Sequence, residues 1–323
     1  MLVLTGGAGF IGSCFLAKLN QEGIADVLVV DNLGSSEKWK NLRGKTFTDY
    51  VQKLDFLKLL EAERLPTNIT AVVHLGACSS TTEQDAEYFM RNNYRFSQLL
   101  VEWTLRRNLR FVYASSAATY GDGAEGFNDD VSRIRRLRPL NMYGFSKHLF
   151  DLWALQTGAL ERVAGLKFFN VFGPNEYHKG EMASVIFKAH RQINESGSLK
   201  LFRSYRSDIG DGEQRRDFVY VKDCVNLLWW LLERREVNGI FNVGAGAARS
   251  WNDLGSTVFA ALGRSPNIDY VDMPELLRAK YQYFTEASLT KLRAAGYAAP
   301  FTPLEEAVRD YVVNYLSAPD PYC

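Results

Sequence analysis

Short apolar runs recur along the first half of the chain, each followed by a stretch with helical spacing. The runs are residues 2–4, 27–30, 71–74, 110–114 and 166–169. They are too continuously apolar for strands with one wet face, and predict strands buried on both sides. Between them, residues 83–107 carry Phe89, Tyr94 and Leu99 among their apolar positions and read as helix. Strand–helix alternation predicts a parallel sheet covered on both faces, an α/β, doubly wound, Rossmann-like fold. After about residue 172 the pattern loosens. Helices are predicted over 182–193, 225–232, 251–262 and 303–316, and strands over 200–202, 217–221 and 240–243. Residues 203–214 read as a polar, glycine-containing loop. The expected division is a main domain over 1–172 and a smaller, interleaved C-terminal lobe over 173–323. Residues of about 217–245 are expected to return to the main domain.

Composition narrows the partners. The 323 residues are 46% hydrophobic and 23% charged, with a formal net charge of +1. Such a balance supplies no field for nucleic acid or an anionic membrane surface. No apolar run approaches the ~18 residues of a membrane span. The apolar N-terminal segment lacks a basic leader, so it reads as a first strand of a cytoplasmic protein rather than a signal peptide. Cys14, Cys78, Cys224 and Cys323 are widely scattered and suggest no disulfide framework. They have no ligand spacing with His74, His148, His178 and His190, so no metal is expected.

The richest stretch is Thr5-Gly6-Gly7-Ala8-Gly9-Phe10-Ile11-Gly12, between the first strand and a helical pattern. Its glycines permit a tight turn and a close backbone approach to a ligand. The helix N-terminus beyond them offers open N–H groups to a pyrophosphate. Asp31 ends the next apolar run, where a ribose-binding acid is expected about 20 residues on. The first domain therefore reads as dinucleotide-binding. Asp31 alone favours NAD, because an acid repels a 2′-phosphate. Lys38 lies in the following loop, where it can neutralise that phosphate.

A second motif is Tyr143-Gly144-Phe145-Ser146-Lys147. On a helix, positions i and i+4 share a face, so the phenol and ammonium converge. The ammonium and a cationic nicotinamide are both expected to lower the Tyr143 pKa, making the phenolate a usable base. Ser115 and Ser116 end the fifth run. Ser116, one step further out, is the candidate hydroxyl for the reacting oxygen.

Together these motifs resemble the extended short-chain dehydrogenase/reductase family, and within it the ADP-heptose 6-epimerases. The closer resemblance is carried by Gly76-Ala77-Cys78-Ser79-Ser80-Thr81-Thr82-Glu83 and His178-Lys179-Gly180-Glu181-Met182-Ala183-Ser184. Arg216-Asp217-Phe218-Val219-Tyr220-Val221 and Tyr281-Gln282-Tyr283-Phe284-Thr285 add to it. It implies inversion at C6 of an ADP-heptose through a transient ketone, on the route to the lipopolysaccharide core. It also implies tightly held NADP rather than NAD, and a homo-oligomer, a pentamer in that family. Another nucleotide-sugar epimerase, such as a hexose 4-epimerase, is the nearest rival. A non-catalytic dinucleotide sensor is a more distant one, since the chain keeps both Tyr143 and Lys147.

The resemblance assigns further residues. Tyr143 serves one pose of the sugar and Lys179 the other, with Lys147 and Ser116 assisting. Cofactor contacts fall to Gly6, Gly9, Phe10, Ile11, Gly12, Asp31, Asn32, Lys38, Lys53, Leu75, Gly76, Ala77, Cys78, Ser79, Asn92, Lys147, Val171 and Lys179. Substrate contacts fall to Ser116, Asn170, Glu181, Lys188, Phe202, Arg203, Ser204, Arg216 and Tyr281. The run Arg133, Arg135, Arg136 and Arg138 is assigned nothing beyond steering an anion.

Overall fold

Leu2, Val3 and Leu4 send their side chains alternately into two cores, and that alternation sets the architecture. Leu2 and Leu4 pack in a core with Phe15, Leu16 and Leu19, whereas Val3 belongs to a second with Phe56, Leu100 and Phe150. The same division separates Val27 and Val29 from Leu28 and Val30, Val73 from Val72, and Phe241 from Ile240. A sheet with both faces buried is the consequence. The structure is a computed structural model and describes residues 1–323 except 80, 81, 82, 84, 279 and 280.

The strands are β1 (Leu2–Thr5), β2 (Val27–Asp31), β3 (Asp49–Gln52), β4 (Ala71–His74), β5 (Arg110–Ser116) and β6 (Ala164–Phe168). They continue with β7 (Asn170–Phe172), β8 (Leu199–Phe202), β9 (Arg215–Tyr220), β10 (Gly239–Val243), β11 (Ala248–Ser250) and β12 (Ile268–Val271). The main helices are α1 (Phe10–Gln21), α2 (Lys53–Glu61), α3 (Ala86–Phe89), α4 (Phe96–Arg106), α5 (Met142–Gln156), α6 (Val185–Ser196), α7 (Val221–Glu233) and α8 (Trp251–Ala261). Seven strands pair in the order β10-β6-β5-β4-β1-β2-β3, and every neighbouring pair is parallel. The winding direction changes between β1 and β4. Ligands of such sheets bind beyond the strand carboxyl ends at that switch point.

The later chain adds two small sheets. β11-β9-β7 runs antiparallel at β11 and parallel at β7, and β12 pairs β8 in parallel. β10 returns to the edge of the main sheet against β6. α7 brings Leu227, Leu228 and Leu231 into the core that holds α1. Among the described residues no helix is long and apolar enough to cross a membrane. Nor do three or more His, Cys, Asp or Glu gather there to hold a metal ion.

Several predicted boundaries move for identifiable reasons. The helix expected over 83–107 starts at Ala86, where the Asp85 side chain accepts from the Tyr88 N–H. It passes through a π-turn at Met90–Arg95 before α4. The helix expected from 182 begins at Val185 behind Ser184, whose hydroxyl accepts from the Phe187 N–H at 3.2 Å. Residues 177–182 form a separate 3-10 turn instead. The strand expected over 217–221 is β9, and Val221 is already the first residue of α7. The run at 166–169 is one end of β6, which starts at Ala164 and stops before Phe169.

Candidate active site

The glycine turn is built by backbone contact. Gly6 has φ +72°, and its N–H donates to the Val30 carbonyl at 2.7 Å. A Cβ on Gly12 would lie 2.0 Å from the Gly6 carbonyl oxygen, so only glycine closes this turn. α1 starts at Gly9 with no side-chain cap and no acid in its first turn. Its leading N–H groups, with the positive dipole end, remain available to an anion. The turn fits a dinucleotide pyrophosphate on that ground.

Asp31 closes the turn from β2. Its Oδ2 accepts from the Ala8 N–H at 2.8 Å and its Oδ1 from the Asn32 N–H at 2.7 Å. The Lys38 ammonium lies 2.5 Å from Oδ1. Lys38, expected to face a 2′-phosphate, thus also neutralises the acid that would repel one. Asn32 itself is exposed. Lys53 donates to Asn92 Oδ1, so these two expected cofactor residues are partners of each other. Leu75, Gly76, Ala77 and Ser79 line the main cavity. Cys78 is held from outside it, its N–H donating to Asn93 Oδ1 and its carbonyl accepting from Asn93 Nδ2. Ser80, Thr81 and Thr82 of the same motif lie outside the described residues.

α5 presents the Tyr-Lys pair. Asn141 caps it, accepting from the Gly144 N–H at 2.8 Å. A Cβ on Gly144 would lie 2.7 Å from the Ala118 carbonyl oxygen, so the helix sits directly on the turn after β5. That turn starts at Ser116, whose hydroxyl lies beside the Tyr143 phenol and favours its ionised form. Ser115 donates to buried Asp151 at 2.7 Å and is committed elsewhere. The two serines are both strand residues, and their different partners separate their roles.

The expected depression of the Tyr143 pKa is not what the protein alone produces. Burial pushes the phenol up, and the Ser116 hydroxyl only opposes that. Lys147 donates to the Ala114 carbonyl at 2.8 Å. Burial pushes its pKa down to about 8, with Asp151 pulling it back. Desolvation sets the direction at both groups.

Lys179 lines the same cavity from the 177–182 turn. Its Nζ lies 5.3 Å from the centre of the Phe10 ring. Burial lowers its pKa, and the Glu176 carboxylate opposes the shift. Glu176 is fully buried and accepts from the Ser184 hydroxyl at 2.7 Å and the Tyr311 hydroxyl at 3.0 Å, which anchors the turn. The cavity measures about 510 Å³ and also touches Gly6, Gly9, Phe10, Ile11, Gly12, Asn170 and Val171.

Arg216 is buried behind it at 7% exposure. Its guanidinium donates to the Arg215 and Gln282 carbonyls and lies 5.2 Å from Tyr281 and 5.9 Å from Trp251. Among the described residues it meets carbonyls and ring faces rather than a carboxylate. Trp251 lines the cavity and donates to the Tyr281 hydroxyl at 2.9 Å, joining Arg216 and Tyr281 to the site. Phe202, Arg203 and Ser204 stand at the end of β8, outside the cavity wall. Glu181 and Lys188 pair with each other at 3.1 Å, with the Glu181 carboxylate almost fully exposed.

Three residues escaped the sequence reading. Asn41 donates to the Ala8 and Asn175 carbonyls and to His178 Nδ1, tying the glycine turn to the segment bearing Lys179. His178 lines the cavity, and burial lowers its pKa to about 4. Asn93 grips the 76–79 loop and donates to Ser146 on α5 at 3.0 Å. Only His178, adjacent to Lys179 in the quoted motif, carried a sequence signal.

Comparison with known proteins identifies the family. Residues 2–244 match the model of the NAD dependent epimerase/dehydratase family. The chain is 57% identical over 322 residues to the ADP-L-glycero-D-manno-heptose-6-epimerase of Nitratidesulfovibrio vulgaris strain DP4, covering 100% of both chains. It is 47% identical over 331 residues to the enzyme of that name from Fusobacterium nucleatum, again covering 100% of both. The crystal structure of the Helicobacter pylori ADP-L-glycero-D-manno-heptose-6-epimerase superposes with a TM-score of 0.82 at 27% identity, over 98% of this chain and 96% of that one. The chain belongs to the NAD dependent epimerase/dehydratase family, in its branch of ADP-L-glycero-D-manno-heptose-6-epimerases.

Proposed function

We propose that the protein inverts C6 of ADP-D-glycero-D-manno-heptose, using tightly held NADP. The observation that carries this reading is that Tyr143 and Lys179, far apart in sequence, line one cavity together with the glycine turn. When bound, the oxidised nicotinamide supplies a hydride acceptor that later returns the hydride, together with a positive charge that favours phenolate. Tyr143 takes the proton from the C6 hydroxyl in one pose of the sugar, and the nearby Ser116 hydroxyl favours the phenolate as charge develops. The ketone turns over, and Lys179 serves its oxygen in the second pose. A burial-lowered ammonium is the more willing proton donor. Lys147 holds the nicotinamide ribose, and Arg216 pairs with a substrate phosphate through its planar fork. Assembly as a homo-oligomer and action in the cytoplasm are supported by the family resemblance.

The test is direct. Purified protein is incubated with ADP-D-glycero-D-manno-heptose, the epimers are separated, and the nucleotide released on denaturation is identified. No conversion, with turnover of a UDP-hexose instead, sinks the substrate assignment.

Two further outcomes follow from the site. Lys38→Ala leaves Asp31 uncompensated beside any 2′-phosphate. NADP affinity should fall about ten- to hundredfold, as for loss of a charge-assisted hydrogen bond, with NAD changed much less. Equal losses for both nucleotides would remove Lys38 from the phosphate. The second outcome concerns pH. Lys147 loses its proton near pH 8 rather than in the usual lysine range. Turnover should therefore decline above about pH 8, through loss of the ammonium. A rate that stays level to pH 10 means that this charge is not used.

A further inference from the structure

Cys14 and Cys323 are the two most distant cysteines in sequence, yet their Sγ atoms lie 3.4 Å apart. Cys14 sits on α1, a turn beyond the cofactor-facing N-terminus, and is buried at 5% exposure. Cys323 reaches it because the 317–323 segment is tied down along its length. Arg43 pairs with Asp320 at 3.0 Å, Tyr177 donates to the Pro321 carbonyl at 2.6 Å, and the Cys323 N–H donates to Asn175 Oδ1 at 3.1 Å. A surface cavity of about 540 Å³ opens onto Cys323, between Arg43, Lys45, Asn20 and Tyr322. Cys323 therefore lines a cavity open to the surface, while Cys14 is buried behind it.

We propose that Cys14 and Cys323 form a reactive dithiol, closed into a disulfide by a two-electron oxidant of the peroxide class. The sulfurs need to approach by only about 1.4 Å to reach bonding distance. The Cys323 thiolate attacks one peroxide oxygen, the O–O bond breaks, and a sulfenic acid and hydroxide result. Cys14 Sγ then attacks that sulfur and expels a second hydroxide. The two thiol protons convert the hydroxides to water, so one peroxide and two thiols give one disulfide and two waters. The surroundings suit this order of events. The Cys14 hydrogen bond and the Lys45 and Lys222 ammoniums hold the Cys323 thiol below its usual range, while burial pushes Cys14 up. In a reducing compartment the pair rests as thiols.

The bond would fix the 317–323 segment to the helix that opens the nucleotide site. Through the Tyr177–Pro321 hydrogen bond it would also restrain the turn that carries Lys179. The proposal stands whatever sugar the enzyme uses. The full chain, freshly reduced, is exposed to hydrogen peroxide while folded, then alkylated and digested without reductant. Mass spectrometry should find one cross-linked peptide joining Cys14 to Cys323, two of the four thiols lost, and full recovery with dithiothreitol. Cys323→Ser should abolish the cross-link. Four alkylated thiols, a stable sulfinic acid on Cys323 with Cys14 intact, or a cross-link to Cys78 or Cys224 would each overturn the proposal. The wild-type map decides the matter even if the variant folds poorly.

Discussion

Tyr143→Phe should reduce epimerisation by about 10²–10⁴-fold, the range credited to a positioned general acid or base. The change removes one oxygen from a half-buried side chain, so the ring still fills its place. Ser116 loses its phenolic neighbour but keeps its contact with the Ala118 N–H at 3.1 Å, so the turn after β5 should hold. Nucleotide content should be unchanged, because the glycine turn and Asp31 are untouched. Turnover, thermal melting and released nucleotide measured on one preparation separate these effects. A variant that melts normally, binds nucleotide and still turns over within a few-fold of wild type would take Tyr143 out of the reaction.

Lys179→Met should have a loss of similar size but a different signature. It keeps length and removes the ammonium, leaving Glu176 with its Ser184 and Tyr311 partners. If each residue serves one pose of the sugar, the two variants should fail on different epimers. Single turnovers started separately from each C6 epimer, read by nicotinamide absorbance, show this. Tyr143→Phe should block oxidation mainly of one epimer, and Lys179→Met mainly of the other. Loss of both oxidations in Tyr143→Phe, with none in Lys179→Met, would mean that one base serves both poses. Lys179 would then be a binding residue.

What sequence revealed and what it hid divide along a physical line. Runs such as Val27–Val30 announce themselves because burial on both faces demands apolar side chains at every position. The glycine turn is legible because backbone approach at Gly12 leaves no alternative residue. β3, beginning at exposed Asp49, and the three-residue β7 and β11 left no such trace. Edge and short strands need few apolar side chains, and their pairing is decided by partners far away. The same holds in the site. The four-residue spacing of Tyr143 and Lys147 is a local fact, visible in one dimension. Asn41, Asn93 and the Cys14–Cys323 approach are through-space facts whose residues carry no pattern of their own. The protein's own upward push on the Tyr143 pKa is hidden from the sequence for that reason. A neighbouring charge can be read from spacing, whereas the depth of burial cannot.

The place of β10 at the edge of the main sheet has a consequence for synthesis on the ribosome. β6 lacks its outer neighbour, and α1 lacks the leucines of α7, until residues 221–243 have been made. A nascent chain ending near residue 172 therefore carries six strands of a seven-stranded sheet and a bare apolar helix face. At 5–20 residues per second, that exposure lasts about 4–14 s before the missing pieces are synthesised. Each chain spends that interval with a sticky, half-built Rossmann layer. A chaperone that binds emerging apolar segments would find its target there, in the unpaired edge of β6 and the open face of α1, rather than in the finished enzyme.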